Sequence, residues 1–465
     1  MKSPFSASPL LRLLALCCAA GLLGFTTLSA AAPAAAPAPA PAPATASIAA
    51  NIVRTRASGV DVLAYRTGVK DVVTVRGSLP AGDVFSPDST GVISTLTGMM
   101  LDKGTTTRDR FAIAAALEAV GAELRFSVGA VTTEFSGKCL AKDLPLLVSL
   151  IAEQLRSPAL TEEEFAKAKK QYAGTLRRRM ESPDARASDA FAAAIFPAGH
   201  PNHHSSIEET QASIEKATLA DVRAFHASHY GPARLVFVAV GDLDPAVLNS
   251  EVTKAFAGWT GGKTLPSITP APATTPLEKR VQMAEKPSVN ICLGQATGLR
   301  HSDPDALALR VGTAILGSGF TGRLMSTVRD KEGLTYGIYA SVGSDTFCDG
   351  QFALTATFSP AMLAQGLASS RRELKLWFEK GVTADELDRR KSNLAGSFKV
   401  SLATTGGLAS NILAVIDRGY GLNWLDEYPA RLQALTLDQV NGAIRRHLDP
   451  DKMALALAGT LPAEK

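Results

Sequence analysis

In "DLPLLVSLIAEQL" the apolar residues Leu144, Leu147, Ile151 and Leu155 recur at helical spacing and share one face. The pattern then turns polar. "LTEEEFAKAKKQYAGTLRRRM" predicts a longer helix, with Thr161 as its N-cap and acids in its first turn. Alternating or short continuous apolar runs predict strands in "DVVTVRGSLPAG", "AVTTEFSGKCLAKD" and "ARLVFVAVGD". From about residue 50 the chain alternates such β-like and helical runs.

These elements return in the second half. "LTEEEFAKAKKQYAGTL" has its counterpart in "VTADELDRRKSNLAGSF": Thr161 with Thr383, Lys169 with Lys391 and Gly174 with Gly396, each 222 residues later. "ATLADVRAFHASHYGPARLVFVAVGDL" matches "LTLDQVNGAIRRHLDPDKMALALAGTL": Val222 with Val440, Pro232 with Pro450 and Gly241 with Gly459, each 218 residues later. Register held over such lengths predicts two similar α+β units, residues 48–260 and 277–465. The segment between them, residues 261–276, is rich in Pro, Thr and Gly and has no apolar period, so it reads as a linker. Two sheets with helices packed on them can enclose a concave interior suited to an extended peptide.

The N-terminus reads differently. Lys2 and Arg12 precede an apolar run that ends in small residues at Leu28-Ser29-Ala30, the layout of a signal peptide over residues 1–30. Alternating Ala and Pro over residues 31–47 form neither helix nor sheet and predict an extended spacer. This start implies export to a bacterial periplasm, with no membrane span left after cleavage. The net charge of +4 is slight and no basic block stands out, so nucleic acid is a poor partner. Outside the leader three cysteines remain, Cys139, Cys292 and Cys348. An odd number leaves at least one thiol unpaired; a Cys292–Cys348 bridge and buried free thiols both stay open.

Several of these stretches resemble the M16 (pitrilysin/insulinase) metallopeptidases, in particular the small bacterial type. They are "GVISTLTGMMLDKGTTTRDRFAIAAALEAVGAEL", "LTEEEFAKAKKQ", "HYGPARLVFVAVGDLDP", "ILGSGFTGRLMSTVRDKEGLTYGIYAS" and the helix from Thr383. The resemblance spans roughly residues 50–461. It implies an α+β fold of two M16-type halves, each a mainly antiparallel sheet with helices packed on it. Active members of that family carry His-x-x-Glu-His on a helix before a "KGT"-like turn. The two His grip zinc from one helical face and the Glu activates water.

This chain departs from that pattern. Counted back from Lys103-Gly104-Thr105, the motif positions hold Thr95, Leu96, Thr97, Gly98 and Met99. No His or Glu occurs from Gly91 to Thr105, so a shifted alignment rescues nothing. The later helix has no carboxylate between Glu164 and Glu181; Thr175 or Leu176 stands where the third ligand belongs. A catalytic zinc needs three protein ligands. The resemblance therefore implies a non-catalytic subunit, with no metal of its own and none of the zinc chemistry.

Other chemistry is poorly supported. His200, His203 and His204 in "GHPNHHSS" read as a surface loop. His226 and His229 lie three apart on a helix, where packing is the expected role. "LGSGF" lacks the last glycine of a serine-hydrolase elbow, and Gly317, Gly319 and Gly322 read as a flexible connection.

One stretch keeps its chemistry. In "VRDKEGLTYGIY" the local reading is a helix end near Arg329, a C′ cap at Gly333 and Tyr336 packing at a strand start. In the M16 resemblance, Arg329 and Tyr336 instead form a substrate-binding pair. An Arg donates to a peptide carbonyl and a Tyr hydroxyl steadies a developing oxyanion. The expected function is a periplasmic subunit that binds peptide substrate and completes the active site of an HxxEH-bearing M16 partner, where the zinc resides. A peptide-binding or scaffold protein without a proteolytic role is the alternative.

Overall fold

The computed structural model describes residues 47–462. The expected leader and nearly all of the Ala/Pro spacer lie outside the described residues. Two sheets organise the chain. The first half runs β1 (Ile52–Ala57), β2 (Val60–Arg66), β3 (Val72–Leu79), α1 (Val92–Met100), α2 (Arg110–Glu118), β4 (Glu123–Val128), β5 (Thr133–Leu140), α3 (Leu144–Arg156), α4 (Glu162–Met180), α5 (Pro183–Ile195), α6 (Ile207–Lys216), α7 (Leu219–His229), β6 (Val236–Gly241) and α8 (Pro245–Ala255). The second runs β7 (Leu277–Gln282), β8 (Val289–Ala296), α9 (Ala306–Gly317), a π-helical turn (Met325–Lys331), β9 (Gly337–Gly343), β10 (Gln351–Phe358), α10 (Leu363–Lys380), α11 (Ala384–Leu402), α12 (Thr405–Asp417), α13 (Trp424–Ala434), α14 (Leu437–His447) and β11 (Ala454–Gly459). Residues 261–276 carry no helix or strand.

The sheet orders are β1-β2-β6-β3-β5-β4 and β7-β11-β8-β10-β9. Without β1 the two orders correspond strand for strand. Each is antiparallel apart from one parallel pair, β2 with β6 and β7 with β11. The α+β class and the two similar halves are as the sequence predicts.

The repeated residues do the same work twice. Thr161 and Thr383 cap α4 and α11, accepting from the backbone N–H of Glu164 and Glu386. The Lys169 ammonium donates to the Glu215 and Ala217 carbonyls at the end of α6; Lys391 donates to Gln433 at the end of α13. Gly241 and Gly459 adopt φ of 151° and 143° at the ends of β6 and β11. A Cβ there would lie 2.1 Å from the Val72 carbonyl oxygen and 2.4 Å from that of Ser288.

Each half lends the other a helix. From the first half, α5 places Ala187, Phe191 and Ile195 on the second sheet, against Cys292, Ala296, Ala454, Ala456 and Ala458. From the second half, α12 places Leu408, Ile412 and Ile416 on the first sheet, against Leu63, Val236, Val238 and Val240. The opposite faces pack on helices of their own half. The exchanged helix covers only part of its sheet. On the first sheet, strand alternation leaves a polar strip on β3, β5 and β4, which includes Arg76, Ser136, Lys138, Glu123 and Arg125. On the second the matching strip is uncharged, with Tyr339, Ser341, Thr355 and Thr357.

Polar contacts tie α12 to that first sheet. Thr405 and Thr74 share a hydrogen bond of 2.8 Å, and the Ser78 hydroxyl donates to the buried Asp417 carboxylate at 3.0 Å. Burial pushes the Asp417 carboxyl up to about 6, against the pull of Arg234 and Ser78. The folded chain thus holds this proton more tightly than the unfolded chain, and the site's contribution to stability falls as pH rises from about 4 to about 6. Asp417→Asn is expected to gain about 1–3 kcal/mol on its parent across that window. Urea unfolding at pH 4 and pH 6.5 reads this; an unchanged difference between the two proteins would refute it.

Candidate functional site

Helix α1 begins at Gly91, in the left-handed region with φ 74°, and buries Val92, Ile93, Leu96 and Met100 in the first core. Its degenerate motif residues do not converge on a metal. Thr95 lies 3.5 Å from Asp83 Oδ1, which also accepts from Ser94 at 2.6 Å. Met99 packs against the core. Gly98 is buried against edge strand β4, and a Cβ built on it would lie 2.2 Å from Val128 Cγ2. The space a glutamate would need there is already occupied. On α4, the Thr175 hydroxyl donates to the Gln171 carbonyl, Leu176 is buried, and Tyr172 is the residue that meets Thr95. These residues do not fit a zinc ion. Among the described residues no group of three or more His, Cys, Asp or Glu side chains is placed to hold a metal.

A cavity of about 520 Å³ opens beside α1, lined among others by Asp83, Tyr172, Arg179, Asp189 and His204. Burial lifts the Asp83 carboxyl to about 6, only partly offset by the Ser94 and Thr95 hydroxyls. Burial also pushes Asp189 up, but hydrogen bonds from His204 and Arg179 outweigh it and hold that carboxyl below its ordinary range.

The histidine loop differs from expectation. It is a loop, yet His200 is buried, stacked on Phe196 and bonded to Asp349 of the second half at 3.0 Å. His226 and His229 take packing roles. Their rings meet the Leu155 and Phe225 carbonyls, and burial lowers both pKa values. All three cysteines outside the leader are free and buried, and burial pushes their thiols up to about 11 or 12. The Cys292–Cys348 bridge is absent. Gly317 is no flexible joint: its Cβ would lie 2.2 Å from the Ala340 nitrogen, so glycine lets α9 meet β9.

Arg329 lies in the π-helical turn, which ends as the Gly333 N–H donates to the Arg329 carbonyl and Leu334 to Val328. Gly333 has φ 66° and does cap the turn. Tyr336 does not pack at the strand start; it is 88% exposed. The Arg329 guanidinium sits between two rings, 5.4 Å from the centroid of Phe320 and 5.5 Å from that of Tyr336. Phe320 is itself 71% exposed. Sequence reasoning noticed Phe320 only as a departure from a hydrolase elbow. Arg329 and Tyr336 are thus brought together, at the entry to edge strand β9. Among the described residues no hydrogen bond or ring contact joins them to α1.

Comparison with known proteins gives this geometry a family. A family model described as insulinase (peptidase family M16) matches residues 62–203, and one described as the peptidase M16 inactive domain matches residues 216–394. The chain belongs to peptidase family M16. It is 28% identical to an uncharacterized zinc protease of Streptomyces coelicolor over 78% of this chain and 79% of that one. It is 24% identical to a non-peptidase homolog of Helicobacter pylori over 68% of this chain and 73% of that one. Among solved structures, the M16 inactive domain from Pseudomonas fluorescens aligns with a TM-score of 0.82 at 27% identity, covering 89% of this chain and 99% of that one. The periplasmic protease PqqL of Escherichia coli shares the fold, with a TM-score of 0.74 at 16% identity over 90% of this chain and 46% of that one. M16 membership and the degenerate α1 agree with the inactive type.

Proposed function

We propose that this M16 chain is a non-catalytic periplasmic subunit that binds an extended peptide and completes the active site of an HxxEH-bearing M16 partner. Zinc belongs to that partner, and the leader-like N-terminus supports export. The observation that carries the reading is the Phe320–Arg329–Tyr336 stack. Three side chains stand at the surface, ordered by one another, and the nearest carboxylate, Asp330, is 3.5 Å from Arg329. The two rings attract the guanidinium as cation–π partners, Nη1 meets Asp330 at 3.5 Å, and Nε and Nη2 are left to donate to a peptide carbonyl. The edge strands β4 and β9 offer unpaired backbone to the same kind of ligand.

The test pairs the purified chain with an HxxEH-bearing M16 chain from the same genome and follows cleavage of a fluorogenic peptide. Cleavage is expected in the mixture and in neither chain alone. Arg329→Ala should lower the mixture's kcat/KM by about tenfold to a hundredfold, and Tyr336→Phe by about tenfold. Activity indifferent to Arg329→Ala would leave a scaffold role instead. Stoichiometric zinc and peptidase activity in this chain alone would overturn the proposal.

A further inference from the structure

We infer that the uncovered strip of the first sheet is a subsite for an acidic side chain of the bound peptide; the inference rests on the peptide-binding reading above. Strands β3, β5 and β4 pair in a register that aligns two rows across one face. One row is Arg76, Ser136 and Arg125, and the other is Thr74, Lys138 and Glu123. These six residues line a cavity of about 340 Å³. Its far wall is the start of α12, with Thr404, Thr405 and Gly406. A Cβ on Gly406 would meet nothing within 4 Å, so that wall faces open space. The positive end of the helix dipole adds to the field of the side chains.

The cavity lining holds three cations against one carboxylate; a second carboxylate, Glu134, stands next along the same face of β5 and offsets part of the charge of Arg76. Glu123 approaches Arg125 only to 3.9 Å, with the two side chains 69% and 80% exposed, so it neutralises little. The Arg76 Nε is buried and has no acceptor. An anion entering the cavity meets the two more exposed cations, Arg125 and Lys138, within the field of the Arg76 guanidinium.

Register makes the prediction specific. A peptide paired to the β4 edge becomes the next strand of the sheet and extends both rows by one residue. The peptide residue opposite Arg125 lies on the Arg76 row, where opposite charge across strands is favourable. The residue two positions away lies beside Glu123, where a second acid is disfavoured. The strip on the second sheet has no charged residue, so it carries no such preference.

The experiment measures fluorescence anisotropy with the whole chain and two labelled, capped nonapeptides of β-forming residues, one with a central Glu and one with Gln there. At low salt the Glu peptide is expected to bind about three- to tenfold more tightly, with the difference vanishing in about 0.5 M salt. Arg125→Gln with Lys138→Gln should bring the ratio of the two affinities to one. Glu123→Gln should raise that ratio. Equal affinity of the parent for both peptides, or a ratio untouched by the double variant, overturns the acidic subsite and leaves peptide binding standing. Failure of both peptides to bind overturns the subsite and the peptide-binding reading together.

Discussion

Rebuilding His-x-x-Glu-His on α1 with T95H/G98E/M99H is expected to cost about 2–4 kcal/mol of stability and to create no zinc site. The cost comes mainly from position 98. A Cβ there falls 2.2 Å from Val128 Cγ2, inside any allowed contact, and the rest of a glutamate would follow it into a buried space. The Val128 side chain must turn away, or β4 or the helix must move, and the carboxylate is desolvated without a partner. The third ligand would still be missing, since α4 presents Tyr172, Thr175 and Leu176. Adding Val128→Ala should recover part of the stability by opening the space, but not the metal. Urea unfolding and zinc analysis of the purified variants read both halves of this prediction. Stoichiometric zinc at undiminished stability would show that the motif residues alone had been lost.

The second large effect is expected at Asp349. Its side chain and that of His200 are each only 2% exposed and face one another at 3.0 Å. The second carboxylate oxygen accepts from the Ala271 backbone, and the Asp349 carbonyl accepts from Asn202. One residue of the second half thus holds the α5–α6 loop of the first and the segment between the halves. Asp349→Ala leaves a buried imidazole and a backbone donor without acceptors, at a cost of about 3–5 kcal/mol. Once His200 has been changed to Ala, the same substitution should cost clearly less. Thermal and urea unfolding of the two single variants and the double variant close this cycle. Strictly additive losses would count against the pairing.

Much of this was legible in the chain itself. The 222- and 218-residue spacings place Thr161, Lys169 and Gly241 against partners that prove to cap, to bond and to turn in the same way. The loss of the zinc motif was equally plain at Thr95, Gly98 and Met99, because chemistry needs particular residue types at fixed spacing. What stayed hidden depends on partners far away in sequence. Nothing local to Gly98 announces Val128, and His200 reads as a loop residue until Asp349 arrives from 149 residues further on. Phe191 and Ile195 mark an apolar helix face, but apolarity does not say which sheet it meets. For Tyr336 the local pattern offered packing and the family resemblance offered a pair with Arg329; the side chain is exposed beside that cation, and Phe320, on the other side of it, was not anticipated.

The exchanged helices also impose an order of events on synthesis. Phe191 and Ile195 of α5 leave the ribosome long before their seat exists. That seat includes β11, residues 454–459, the last strand among the described residues. Until it is made, the first half carries an apolar helix with nothing to cover it, and its own inner sheet face waits for α12. A first half made without the second is therefore expected to leave these apolar faces uncovered and to stay incompletely folded until the second sheet and α12 are present.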